Sequence, residues 1–416
     1  MECAAFATNC IDSDVSRSMM RSTRKGRNQM EGSMKTWKAL ALAGVAGAVA
    51  ISGPALSQRG NAPAQSEGAI EGQYICVFDS NVIRRGQVVA AANRAANANG
   101  GNVLFTYRNS INGFATRASA RGVENMQRAN PWISYCVQDE VVTLAPPPGR
   151  GNGGGGGGDT GGQTTPWGID RVGGFVDGSG FTRRAWILDS GIDLDHPDLN
   201  VDVARSADFT GSRKGAEDEN GHGTHVAGTV AAINNNTGVV GVAAGAPVVA
   251  VRVLNRRGSG SYSGIIAGVD YVAANASPGD VANMSLGGGR SQALNDAVEA
   301  AAAGGVHMVL AAGNESQDAA NVSPASATGT RVYTISATDR NDNFASFSNF
   351  GAEVDYAEPG VSINSTWLSG GYNTISGTSM AAPHAAGILL ATGGTIRTSG
   401  FANNDPDGNA DPIGVR

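Results

Sequence analysis

Cysteine runs out early in this chain. Of 416 residues only Cys3, Cys10, Cys76 and Cys136 are cysteine, so everything beyond residue 136 holds its fold without disulfides. Charge is sparse as well: Asp, Glu, Lys and Arg make up 16% of the chain, and the net charge is −6. The basic cluster at residues 17–27 is not matched by any Lys/Arg-rich face elsewhere, which argues against a nucleic-acid partner. The apolar run Ala39–Ile51 has 13 residues, short of the roughly 20 that a spanning helix needs. Glycine, by contrast, is plentiful at 60 residues, which suits a tight, loop-rich enzyme. The length admits two or three domains, one with a sizeable core.

The N-terminal segment reads as an address. From Met34 two lysines precede the apolar run, and Ala55-Leu56-Ser57 supplies small residues at −3 and −1 of a cut after Ser57. This is the pattern of a secretory signal peptide over residues 34–57, and it predicts a secreted or periplasmic product with no membrane contact after cleavage. Residues 1–33 then precede the expected start, either as an over-extended reading frame or as a cytosolic leader.

Residues 58–148 form a first expected unit with its core at 73–142. Strand-like QYICVFD, an Ala-rich helix, strand-like NVLFTYR and GFATRAS, the helix ARGVENMQRAN and the strand WISYCVQDEVV follow one another. The order β-α-β-β-α-β is the split βαβ, or ferredoxin-like, arrangement. Cys76 and Cys136 fall in its first and last strands, which are neighbours in that topology. A cross-strand bridge and two separately buried thiols are both compatible with this placement. Ten glycines in the first fourteen positions of residues 149–165 then predict a flexible linker, 149–162.

From Trp167 onward, apolar strands (RAWILDSG, PVVAVRVL, VANMSLGG, VHMVLAAGN, RVYTISATD) alternate with helices (HGTHVAGTVAAI, GSYSGIIAGVDYVAANA, SQALNDAVEAAAAGG, GTSMAAPHAAGILLATGG). Strands apolar throughout imply an α/β fold whose parallel sheet is flanked by helices on both faces. Ligands bind such sheets beyond the carboxyl ends of the strands. Four polar residues are expected there: Asp189, ending the first strand; His222, opening the next helix; Asn314, after VHMVLAAG; and Ser379, at the start of the last helix. A serine hydroxyl becomes nucleophilic when an imidazole can take its proton and a carboxylate orients that imidazole. An Asn amide and a free N–H at a helix start can hold the oxyanion that results.

The boxes WILDSGID, NGHGTHVAGT, LAAGNE and SGTSMAAPH closely resemble those of the subtilisin-like serine proteases, in the family's order, with separations of 33 and 157 residues between Asp189, His222 and Ser379. The resemblance implies a subtilisin-like domain over 163–392 preceded by an inhibitor-type propeptide. It assigns the triad to Asp189, His222 and Ser379 and the oxyanion hole to Asn314, leaving His196, His225 and His384 as structural. It implies substrate contacts at Gly258, Ser259 and Gly260 on one edge strand, at Ser285, Leu286 and Gly287, and at Ala311, Ala312 and Gly313. It also implies a structural Ca²⁺ held by Gln163, Asp198 and Asn235 with the carbonyls of Ile233, Thr237 and Val239; one carboxylate among several neutral oxygens suits that ion. Residues 393–416 are expected as a polar tail, with the acidic stretch 403–412 (Asp405, Asp407, Asn409, Asp411) solvated.

The expected product is a secreted, monomeric serine endopeptidase acting on proteins and peptides. Its own propeptide serves as folding assistant and intramolecular inhibitor, and self-processing cuts within or just after the glycines. A peptide-binding relative that does not cut, or a secreted inhibitor built on residues 73–142, would be the readings from other classes.

Overall fold

The computed structural model describes residues 68–144 and 162–416. The leader, the signal peptide and most of the glycine run lie outside the described residues. The two described stretches belong to one compact unit.

The small N-terminal domain follows the expected order: β1 (Ala69–Phe78), α1 (Val88–Asn97), β2 (Asn102–Tyr107), β3 (Gly113–Arg117), α2 (Ala120–Ala129) and β4 (Ile133–Thr143). Its strands lie antiparallel in the order β4-β1-β3-β2. Cys76 and Cys136 face each other directly across β1 and β4, and they are joined as a disulfide. Alternation along β1 sends Cys76 and Phe78 to one face, where they pack with Val88, Phe114 and Met126. Ile75 and Val77 go to the other face.

The large domain is built on β5 (Ala185–Asp189), β6 (Ala207–Asp208), α3 (His222–Ala231), β7 (Val248–Arg252), β8 (Ser259–Ser261), α4 (Tyr262–Asn275), β9 (Val281–Met284), α5 (Gln292–Ala303), β10 (His307–Ala311), β11 (Val332–Thr338), β12 (Tyr356–Pro359), β13 (Ile363–Trp367), β14 (Gly371–Ile375), α6 (Thr378–Thr392), β15 (Arg397–Phe401) and β16 (Pro412–Val415). Nine strands form one sheet in the order β15-β16-β12-β11-β10-β9-β5-β7-β6. All its pairings are parallel except β15 with β16. Every residue of β5 is buried, and its two faces serve two cores. Ala185 and Ile187 meet Val226 and Val230 of α3 and Met380 and Ala385 of α6. Trp186 and Leu188 meet Ile265 and Val269 of α4 and Leu294 and Val298 of α5. A parallel sheet covered on both sides leaves the carboxyl ends of β5, β9 and β10 as the open edge, and the site lies there.

The structure changes the reading of the tail and adds two features. The polar tail 393–416 is a hairpin, β15–β16, added to the sheet beside β12; isolated apolar residues such as Ile413, fully buried, were too few to show a strand pattern. Within its loop, Asp411 is buried and accepts from Ser336 Oγ at 2.6 Å, so the acidic stretch is not simply solvated. The segment 356–375 forms β12 and the hairpin β13–β14, elements that the sequence pattern did not separate. Finally, the edge strand β8 does not stand alone. It pairs antiparallel with β4 of the small domain, Ser259 opposite Thr143, Gly260 opposite Val142 and Ser261 opposite Val141.

Candidate active site

Asp189 ends β5 with no exposed surface. Its backbone carbonyl accepts from the N–H groups of Val253 and Leu254, and one carboxylate oxygen accepts from Ser190 N at 2.6 Å. Both carboxylate oxygens lie 2.9 Å from His222 Nδ1. Two glycines make this approach possible. Gly221, capping α3 at φ 104°, takes a backbone conformation that side chains disfavour. A Cβ on Gly223 would sit 2.1 Å from the Gly191 carbonyl and 3.1 Å from Asp189 Cβ, so only glycine lets the helix start this close to the strand end. Burial pushes the His222 imidazole down, but the charge and hydrogen bond of Asp189 outweigh it and leave the group above its ordinary value.

One residue that sequence reasoning passed over organises this corner. The Asp218 carboxylate accepts from Asn220 N, Gly221 N, Thr224 N, Thr224 Oγ1 and Ser190 Oγ. The N-cap position is Gly221, so Asp218 carries no capping signal that the sequence could have shown.

Ser379 is the second residue of α6, so its N–H has no partner within the helix. Its hydroxyl donates to the Ser285 carbonyl at 3.2 Å, and Ser285 Oγ donates back to the Ser379 carbonyl at 2.8 Å. Asn314 accepts at Oδ1 from Thr378 N (2.8 Å) and Thr378 Oγ1 (3.1 Å), which leaves its NH₂ as a fixed donor. A Cβ on Gly377, at φ 153°, would stand 3.7 Å from both that Asn314 Nδ2 and the Ser379 N. Two donors therefore converge on one point at the tip of α6. The other histidines are turned away from chemistry: His225 bonds the Ile363 carbonyl, and burial pushes it down to about 3; His384 bonds the Met380 carbonyl and sits at about 4. His196 bonds the Gly371 carbonyl.

The expected substrate residues surround the same point. Leu286, Gly287, Ala311, Gly313, Asn314 and Ser379 line one pocket, and the residue that closes it is Leu144 of the small domain. Leu144 N donates to the Gly258 carbonyl at 2.8 Å, so the end of β4 lies in an extended pose beside Ser379. Ala312 is buried behind the wall, its carbonyl accepting from Asn349 Nδ2.

The expected ion ligands are also brought together, at the far end of α3. The carbonyls of Ile233, Thr237 and Val239 converge on the Gln163 side-chain amide nitrogen at 2.6, 3.3 and 3.0 Å. Asp198, fully buried, accepts from Asn235 Nδ2, Val239 N and Tyr372 OH. The Asn235 side-chain oxygen accepts from Thr237 N and Oγ1. Among the described residues no three His, Cys, Asp or Glu side chains cluster as ligands. The donor set is carbonyl oxygen with one buried carboxylate, which fits a hard cation and no transition metal.

Residues 186–392 match the Subtilase family. The subtilisin-like serine protease AsES of Sarocladium strictum is 40% identical over 302 residues, 69% of this chain and 72% of that protein. The chain belongs to this family. Proteinase R of Parengyodontium album is 35% identical over 77% of this subtilase and 80% of its own length. Alkaline serine exoprotease A of Vibrio alginolyticus is 42% identical over 69% of the chain, but the match spans only about half, 52%, of that protein. The crystal structure of a cold adapted subtilisin-like serine proteinase superposes with TM-score 0.53 at 40% identity, covering 59% of this chain and 96% of that one. The subtilase is accordingly a serine-type endopeptidase by class.

Proposed function

We propose that this subtilase is a secreted serine endopeptidase made as a zymogen, with Asp189, His222 and Ser379 as its triad. The Asp189–His222 pair at 2.9 Å, set beside two convergent donors at the tip of α6, carries the reading. Asp189 holds the Nδ1 proton of His222, leaving Nε2 as the base. The Ser379 hydroxyl turns from the Ser285 carbonyl to that base and attacks the scissile carbonyl, and its proton passes to His222. The oxyanion is met by Ser379 N–H and Asn314 Nδ2–H, donors already in place before charge develops. His222 then returns the proton to the leaving amine, and water releases the acyl-serine.

Substrate is bound as an added strand on β8, and the small domain supports that role by occupying the strand itself. The small domain is read as the propeptide. Its β4 fills the strand position and Leu144 the pocket, so an attached chain excludes other substrates. Asp270 of α4 anchors it through five hydrogen bonds from Arg108 N, Asn109 N, Asn109 Nδ2, Ser110 N and Ser110 Oγ. Ca²⁺ would be held by the carbonyls of Ile233, Thr237 and Val239 with Asp198 and with Gln163 turned oxygen-inward. It would tie the N-terminal strand of the large domain to the end of α3. No helix among the described residues is long and apolar enough to cross a membrane.

The test is turnover of a chromogenic peptide by wild type and Ser379→Ala. Loss of triad chemistry lowers kcat by roughly 10³-fold or more, and a serine-directed phosphonate abolishes wild-type turnover. Equal turnover by the two proteins rejects the triad. Turnover by neither supports the alternative of a peptide-binding relative that does not cut.

A further inference from the structure

The turn that leads into β8 carries two adjacent arginines, Arg256 and Arg257, both exposed. Neither guanidinium has an acidic partner among the described residues. They stand at the mouth of a cavity of about 350 Å³ that also takes in Arg252, Glu219, Thr210 and Ser212. Inside it the charges are spent on one another. Arg252, fully buried, donates to Glu219 Oε2 at 2.8 Å and to the Glu217 carbonyl at 2.6 Å, with Asp208 4.0 Å away. What remains at the opening is the unmatched positive pair.

Position makes this pair more than a solvated turn. The Arg256 carbonyl accepts from Asn220 Nδ2 at 3.2 Å, which pins the turn to the residues immediately before His222. The cavity shares Thr210 and Asn255 with the groove along β8 that receives Ile70 and Val141. An extended chain on β8 therefore runs beside the turn that carries the arginines. The small domain does not use them: its residues here are Val141, Val142, Thr143 and Leu144, all uncharged. Thr143 Oγ1 meets only Ser259 Oγ at 3.2 Å, and the Leu144 side chain lies over Gly258.

We infer that Arg256 and Arg257 select an acidic side chain on the substrate, at the position that Thr143 occupies opposite Ser259. A carboxylate there reaches one or both guanidiniums without displacing any existing ion pair, whereas a lysine meets like charge. The inference rests on the endopeptidase reading above, and it adds a preference that main-chain pairing on β8 cannot supply.

Internally quenched peptides built on Val-Val-Thr-Leu-Ala, with the Thr replaced by Glu, Gln or Lys, test it with the mature enzyme. Glu should exceed Lys by about tenfold in kcat/KM, the size expected when a surface attraction and a surface repulsion are added. Gln should fall between them. The ratio should shrink at high salt, and Arg256→Ala with Arg257→Ala should bring it close to one. Equal rates for the Glu and Lys peptides overturn the inference, as does a preference that survives in the double variant. Cleavage of the Gln peptide that persists in Ser379→Ala would instead overturn the triad, and absence of all cleavage would overturn the endopeptidase reading and this inference with it.

Discussion

The nine-stranded sheet covers both its faces with its own helices: α3 and α6 lie against Ala185 and Ile187, and α4 and α5 against Trp186 and Leu188. The four-stranded sheet of the small domain covers only one. Its α1 and α2 close over Cys76, Phe78 and Phe114, while Ile75, Val77, Tyr107 and Ala115 share a core with α4 and α5 of the large domain. Polar contacts follow the same seam. Asp139 accepts from Ser263 N at 3.1 Å near the start of α4, Tyr107 OH donates to the Ser263 carbonyl, and Tyr135 OH donates to Asp296 on α5. One domain is thus complete in itself, and the other borrows half its burial. A domain so built folds best against its partner, in keeping with the propeptide role proposed for it.

Catalysis and docking can therefore be broken separately. The largest effect is expected from Asp189→Asn, about 10⁴-fold in kcat/KM, because His222 loses the carboxylate that fixes its tautomer. The same variant should bind the added small domain within a few-fold of wild type by calorimetry. Its pH profile carries a sign. His222 must be neutral to act, and its pKa lies above the ordinary value. Wild-type activity therefore falls as pH drops through a midpoint above about 6.5; without Asp189 that midpoint moves down.

Asp270→Ala should do the reverse. Removing a carboxylate that accepts five hydrogen bonds from residues 108–110 should weaken inhibition by the small domain about a hundredfold, read as an inhibition constant. Unchanged inhibition would mean that the shared apolar core and the remaining polar contacts hold the two domains together without Asp270. A third effect belongs to the large domain only. Chelation should lower its melting temperature by roughly 5–10 °C, since a ligand at about 100 times its Kd contributes about 2.7 kcal/mol and each kcal/mol moves a domain of this size by about 2–4 °C. An unchanged melting curve would reject the ion.

The smallest effect concerns Glu358 on β12. Both its carboxylate oxygens are buried without a hydrogen-bond partner among the described residues. Burial raises its pKa well above the usual range, partly opposed by Arg171. Such a group favours the fold below its unfolded pKa, near 4.5, and that contribution is lost as pH rises through the folded value. Glu358→Gln should therefore melt about 2 °C higher than wild type at pH 8 and no higher at pH 4. The opposite pH trend would show that the carboxylate is stabilised in its ionised form.

Much of the site was legible because it is written locally. Asp189 ends a strand apolar enough to be buried on both faces, and His222 and Ser379 open helices whose small residues permit close packing. What the sequence could not show depends on distant partners. Asp270 reads as an ordinary helix aspartate until residues 108–110 arrive beneath it. The C-terminal hairpin looks polar because β15 is exposed along its whole length, and only its pairing with β16 makes it a strand.

The single described disulfide, Cys76–Cys136, braces the domain that leans on its partner, while the self-contained domain has no cysteine at all. A reductant can therefore act on the small domain alone, and under the proposed processing oxidation would be a condition of manufacture and not of service.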